Sequence, residues 1–222
     1  MKSYLLLFCA GFFIFQSESF AHTPEDAVIE DAHSGPERNF SSLSEAVVEV
    51  RTQYGYGTGT LFFHNDKLYV LTASHVLRSF ENEDILISIY YEGYAQTATI
   101  VYRNDEEDIA ILLTSEMDSR TPVRLKFRNR RISVGERAGY CGFPNRRDLA
   151  CFSGMVSLSN SNTINVHSYA WKGASGSLVI DKRGRIVGIL SAIEVGSFLG
   201  IPSLVEDIVW IKPLSSEILD NI

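Results

Sequence analysis

"WKGASGSLVID" occupies residues 171–181. It sets Ser175 between a small residue and a glycine, two positions after another glycine. Ser-Leu-Val-Ile follows at once, with the apolar and β-branched character of a strand. That continuation decides the fold. In an α/β-hydrolase the nucleophile sits in Gly-Xaa-Ser-Xaa-Gly, on a turn that leads into a helix. Here the residue two after Ser175 is Ser177, so that pattern fails. Ser175 is then a residue that tolerates a bend, or a nucleophile held on a turn between strands. The rest of the chain decides between the two.

That chain reads as strands. "AVVEVRT", "GTLFF", "KLYVLTA", "DILISIYY", "TATIVYR" and "DIAILL" fill residues 46–113, separated by turn formers such as Asn65-Asp66 and Gly93. After residue 121 come "PVRLKFRNRRI", "ERAGYCGF", "CFSGMVSL", "TINVHSY", "GSLVID", "RIVGILSAI" and "VWIKPL". Short runs rich in Val, Ile, Leu, Tyr and Thr, with almost no helical period, indicate an all-β barrel or sandwich. They fall into two sets of about six, and "SEMDSRTP" between them reads as a linker. "VRLKFRNRR" alternates Val123, Leu125 and Phe127 with Arg124, Lys126 and Arg128. It reads as a half-buried strand whose basic face is solvated and discourages edge pairing. The sharper alternative is a docking ridge for an acidic partner. "PLSSEILDNI" offers Ser215 or Ser216 as an N-cap and a Glu in the first turn, so a short terminal helix is expected.

The 222 residues carry a net charge of −7. An acidic surface argues against nucleic acid, which needs basic groups to neutralise phosphates. The five histidines are scattered, and no Cys-x-x-Cys or His-Glu-x-x-His occurs, so no metal is expected. Residues 1–21 read as a secretory signal peptide. Lys2 is a basic start, "LLLFCAGFFIF" is a short apolar region, and Ser19 and Ala21 suit cleavage after Ala21. An uncleaved anchor is the alternative. With cleavage the chain is secreted or periplasmic and carries no membrane segment. Residues 22–40, rich in charge, Pro and Gly, read as an N-terminal extension. Two cysteines then remain, Cys141 and Cys151, flanking a turn. In a secreted chain they are expected to form a disulfide, worth about 2–3 kcal/mol for a loop of this length.

The chemistry has candidates on separate elements. His75 follows an apolar strand in "YVLTASHVL", and Asp108 enters one in "RNDEEDIAILL". A serine hydroxyl attacks a carbonyl well only when a base takes its proton, and a carboxylate can fix that base's tautomer. The oxygen that turns negative needs preorganised donors. A turn through Gly173, Ala174 and Ser175 can aim backbone N–H groups at one point, because glycine allows unusual φ/ψ. The order along the chain is His, Asp, Ser.

These stretches resemble the trypsin-like (chymotrypsin-fold) serine proteases, nearer to the bacterial secreted and HtrA/Deg-type members than to the digestive enzymes. The matching pieces are "GYGTGTLF" (55–62), "VLTASHVL" (70–77), "DIAIL" (108–112), "SGMVS" (153–157), "KGASGSLVID" (172–181) and "RIVGILSA" (185–192). The resemblance implies two six-stranded antiparallel β-barrels with the site in the cleft between them. The first would span residues 41–118 and carry His75 and Asp108. The second, 119–222, would carry Ser175 and the terminal helix. It implies a secreted serine endopeptidase acting on protein or peptide through an acyl-enzyme, without a cofactor. His75 would be the general base, Asp108 its orienting acid and Ser175 the nucleophile, with Gly173 and Ser175 giving the oxyanion N–H groups. Ser191 would bond the Asp and begin the substrate-pairing strand. Tyr169, Ala170, Ser191, Ala192 and Ile193 would shape a shallow apolar primary pocket unsuited to Lys or Arg. The turn departs from the family's Gly-Asp/Asn-Ser-Gly-Gly-Pro at Ala174, Ser177 and Leu178. Ala174 stands where zymogen-type members have the Asp that receives a new N-terminus. No PDZ domain is expected after the second barrel. A catalytically silent, protease-fold binding protein is the alternative, and the altered turn keeps it open.

Overall fold

The computed structural model describes residues 35–78, 87–115, 117, 119–198 and 201–222. The signal-peptide reading and most of the N-terminal extension lie outside the described residues. A 3-10 turn, Pro36–Asn39, and a short helix, Phe40–Ser44, lead into the strands. Both lie on the second barrel. Glu37 pairs with Arg137 at 2.8 Å, and Arg38 and Asn39 donate to the Lys182 carbonyl.

Six strands follow: β1 (Val47–Arg51), β2 (Tyr56–His64), β3 (Lys67–Thr72), β4 (Ile87–Tyr91), β5 (Tyr94–Asn104) and β6 (Ile109–Thr114). They close as an antiparallel barrel in the order β1-β2-β3-β6-β5-β4. The second six are β7 (Arg137–Gly142), β8 (Ala150–Ser159), β9 (Ile164–His167), β10 (Leu178–Asp181), β11 (Ile186–Phe198) and β12 (Ile201–Pro213). They close as β10-β11-β12-β9-β8-β7. Closure removes the exposed sheet edges that open sheets must manage. Two closed six-stranded antiparallel barrels are the chymotrypsin-like fold. Each of the six apolar runs of the first half gives one strand.

Burial follows position in the barrel. β5 alternates exposed and half-buried residues along its length, as a strand with one wet face does. β1 and β3 are buried on both faces except at one end. One apolar cluster runs from the first barrel, through Leu61, Phe62, Leu71 and Ile111, into Leu178, Ile186 and Ile189 of the second. A separate cluster, with Val156, Ile164, Leu190 and Ile211, fills the second barrel.

The "VRLKFRNRR" run departs from expectation. Its alternation holds, with Val123, Leu125 and Phe127 half-buried and Arg124 and Lys126 exposed. It forms no strand of either barrel, only isolated bridges from Val123 to Phe62 and from Phe127 to Ile186. A connector sealing two barrels needs one apolar face just as an edge strand does, so the pattern is shared. Nor is Arg128 solvated. Its side chain is 4% exposed and reaches Asp181 and Glu136. A buried cation needs such partners. Asp181 also accepts from the amides of Arg183 and Arg185, both at 2.9 Å, and from the Arg185 side chain. Burial alone would raise the Asp181 pKa, but these hydrogen bonds hold it below the ordinary value. The C-terminal helix is a 3-10 helix, Ser216–Asn221, with Ser215 at its N-cap position. Cys141 and Cys151 face each other across β7 and β8 and are bridged, their Cα atoms 4.0 Å apart.

Candidate active site

His75 lies in a 3-10 turn, Ser74–Leu77, that leaves the end of β3. Asp108 ends the turn before β6. That turn is built by Asn104, whose side-chain oxygen accepts the amides of Glu106 and Glu107. Asp108 then takes φ +55°, a left-handed conformation that Asp tolerates better than most residues. The turn sends its carboxylate under His75. Nδ1 of His75 lies 2.8 Å from Oδ2 and 3.0 Å from Oδ1. The His75 amide donates to Oδ1 at 2.9 Å. Ser191 donates to Oδ2, and the Ser74 hydroxyl lies 3.2 Å from Oδ1 and 2.8 Å from Asp105 Oδ1. Asp108 is 8% exposed, so burial would raise its pKa. Hydrogen bonds from His75 and Ser191, with the His75 charge, outweigh burial and bring it to about 2. The carboxylate is therefore ionised at neutral pH, and it fixes both the ring orientation and an Nδ1–H tautomer of His75.

Ser175 sits where two tight turns meet. The Ala174 amide donates to the Trp171 carbonyl at 3.0 Å, and the Ser177 amide to the Ala174 carbonyl at 3.1 Å. Gly173 and Gly176 hold the third position of these turns, at φ +98° and +90°. Positive φ there is the type II signature, and glycine supplies it without a Cβ clash. A Cβ on Gly173 would also lie 2.4 Å from the Phe143 carbonyl oxygen, and one on Gly176 2.2 Å from that of Thr58. The Thr58 amide donates to the Ser175 carbonyl at 2.8 Å, tying the turn to β2. Gly57 is wedged between that carbonyl and Val76, the neighbour of His75. The turn and the His75 segment thus press on one glycine.

The amides of residues 173–177 give a clear account. Ala174, Gly176 and Ser177 donate to carbonyls of Trp171, Leu190 and Ala174. Among the described residues, the Gly173 and Ser175 amides donate to nothing in the protein. Nor does the Ser175 hydroxyl bond His75 among them. Catalytic hydrogen bonds are often long in a free enzyme and tighten once substrate binds.

Ser191 and Ala192 line an open cavity of about 390 Å³ with His75, Asp108, Arg78 and Lys212. Tyr169 is not among its walls. Its ring packs on Phe152 at a 45° tilt, centroids 5.1 Å apart, and its carbonyl accepts the Tyr140 hydroxyl at 2.7 Å. Ala170, Val209 and the half-buried Ile193 share one apolar cluster. Among the described residues no group of three His, Cys, Asp or Glu could hold a metal ion.

Sequence reasoning missed Thr58, whose amide holds the Ser175 carbonyl, and Ser74, whose hydroxyl faces Asp108. The glycines that flank Thr58 in "GTGT" were the signal for the first.

A family model described as "Trypsin-like peptidase domain" matches residues 57–189. No curated protein sequence matches the chain. Among solved structures, a serine endoprotease from Yersinia pestis superposes with a TM-score of 0.61 at 23% identity. The alignment covers 80% of this chain and 61% of that one. The Rv3671c protease of M. tuberculosis H37Rv, in an inactive form, gives a TM-score of 0.63 at 16% identity, covering 86% and 92%. A serine-to-alanine mutant of Rv3671c gives 0.61 at 16%, covering 90% and 93%. Identities this low carry the fold alone; the family model, which spans more than half of the chain, carries membership. The chain belongs to the trypsin-like peptidase domain family.

Proposed function

We propose that this chain is a secreted endopeptidase that cleaves peptide bonds with His75, Asp108 and Ser175 through an acyl-enzyme. The carrying observation is the buried carboxylate of Asp108, bonded to Nδ1 of His75, beside a turn with two undonated amides. Ser175 Oγ attacks the peptide carbonyl while Nε2 of His75 takes its proton. Asp108 stays ionised and stabilises the imidazolium. The Gly173 and Ser175 N–H groups receive the negative oxygen. The C–N bond then breaks, His75 returns the proton to the leaving amine, and water reverses the sequence on the Ser175 ester.

Substrate main chain pairs with residues 191–193. These bond to β12 on one edge and have no strand partner on the other among the described residues. Ala170, Ile193 and Val209 favour a small or medium aliphatic side chain before the scissile bond, not Lys or Arg. Secretion rests on the signal-like residues 1–21 and on the disulfide, which persists in oxidising compartments. Among the described residues no helix is long and apolar enough to cross a membrane.

The test is a fluorophosphonate probe followed by a peptide library. Wild type should be labelled at Ser175 and cleave after aliphatic residues, and Ser175→Ala should do neither while staying folded. A folded wild type that resists the probe and cleaves nothing is a silent binding protein. Preferential cleavage after Lys or Arg defeats the pocket assignment alone.

A further inference from the structure

Two buried hydroxyls hold the carbonyls of the Ser175 turn, and neither belongs to the His-Asp-Ser set. The Ser177 hydroxyl donates to the Ala174 carbonyl at 2.7 Å, beside the 3.1 Å bond from its own amide. The Thr58 hydroxyl donates to the Gly173 carbonyl at 2.7 Å and accepts the Phe143 amide at 3.1 Å. Both residues are 0% exposed. Both hydroxyls press on one backbone point: a Cβ on Gly142 would lie 2.3 Å from Ser177 Oγ and 2.9 Å from Thr58 Oγ1.

A trans peptide is rigid, and its C=O and N–H point in opposite directions. Fixing a carbonyl therefore aims the amide on the same peptide unit. The Ala174 carbonyl belongs to the unit that carries the Ser175 N–H. Held by Ser177, it turns that N–H the other way, out of the protein's own hydrogen bonds. The Gly173 carbonyl, held by Thr58, fixes the unit between the two free amides. The Lys172 carbonyl, held by the Asn145 amide at 2.6 Å, aims the Gly173 N–H. A turn with glycines at 173 and 176 has freedom to rotate these units, and the clamps remove it.

We infer that Ser177 and Thr58 are positioning residues that keep the Gly173 and Ser175 amides convergent before substrate arrives. This rests on the endopeptidase reading and deepens it: the oxyanion site is set by folding and needs no activating event. It also gives Ser177, a departure from the family's glycine, a task that glycine cannot perform.

The experiment compares Ser177→Ala, Thr58→Val and Thr58→Ser with wild type on one peptide ester, with thermal melts to show folding. Losing an oxyanion donor outright costs about 10²–10³ in kcat, so freeing one to rotate should cost about tenfold or more. KM should stay within about twofold. Thr58→Ser, which keeps the hydroxyl, should restore the wild-type kcat that Thr58→Val loses. A folded Ser177→Ala with unchanged kcat overturns the inference, and so does a Thr58→Ser as slow as Thr58→Val. A wild type silent to fluorophosphonate and to peptides sinks the endopeptidase reading instead. In that event a crystal structure of Ser177→Ala decides the clamp. A rotated Ala174–Ser175 peptide supports it, and an unmoved one overturns it.

Discussion

Asp108→Asn separates the two things that the Asp108 carboxylate does. Asn keeps an oxygen in the Oδ1 position, where the His75 amide donates at 2.9 Å and the Ser74 hydroxyl approaches. It puts NH₂ in the Oδ2 position, 2.8 Å from His75 Nδ1 and bonded by Ser191. The amide must donate there, so Nδ1 becomes an acceptor and the proton moves to Nε2. A histidine protonated on Nε2 cannot take the Ser175 proton, and kcat should fall about 10⁴-fold. The carboxylate also stabilises the fold. Its pKa falls from 3.8 to about 2, which corresponds to about 2 kcal/mol at neutral pH. Because the folded pKa is the lower one, that stability is complete above about pH 4 and fades as pH drops towards 2. Asp108→Asn should therefore lower the melting temperature at pH 7 by about 4–8 °C and by much less at pH 2. Peptide hydrolysis and calorimetry at the two pH values read both effects. A variant within tenfold of wild-type kcat would refute the tautomer argument, whatever its melting temperature.

Asp181→Asn should destabilise the second barrel by about 3 kcal/mol, because it leaves the buried Arg128 with Glu136 as its one carboxylate partner among the described residues; denaturant titration checks this. Asp181 and Glu136 both have lowered pKa values, burial being outweighed by hydrogen bonds from arginine and backbone groups. Their stabilisation is complete above the ordinary carboxylate range and lost below it, so an acid melt should show unfolding that Asp181→Asn reduces in steepness. Replacing both Cys141 and Cys151 by Ser should cost about 2–3 kcal/mol, read by urea unfolding, and reductant should then leave the variant unaffected.

The strands were legible because each run of Val, Ile, Leu and Tyr meets a barrel interior and each gap holds a turn former. The pairing of His75 with Asp108 and the glycine turn at Ser175 were legible because their neighbours are stereotyped: a strand end, an acidic turn and two flanking glycines. The connector at residues 121–127 was misread because apolar alternation reports one buried face and not ladder pairing. Arg128 was misread because a sequence shows a charge but not the Asp181 and Glu136 that wait for it from elsewhere. Tyr169 sits six residues before Ser175 as expected, yet spacing fixes a backbone position and not a ring direction. Phe152, 17 residues away in the chain, packs against that ring.

The turn around Ser175 carries its own hydrogen-bonded anchors where it departs from the family pattern. Ala174 is 0% exposed and lies in the apolar cluster of the second barrel. A carboxylate there would be costly without a partner, and zymogen-type members supply one in the new N-terminal ammonium. With alanine that need disappears, and so does the signal that such an ammonium would carry. The turn must then be ordered by something permanent. Thr58 supplies an amide and a hydroxyl from β2, Ser177 a hydroxyl from the turn itself, and Asn145 an amide from the loop that the Cys141–Cys151 bridge closes. Each is fixed when the barrels fold. The changes at positions 174 and 177 are in this sense one change: losing the ionic anchor is consistent with an active site only because a hydrogen-bonded anchor replaces it.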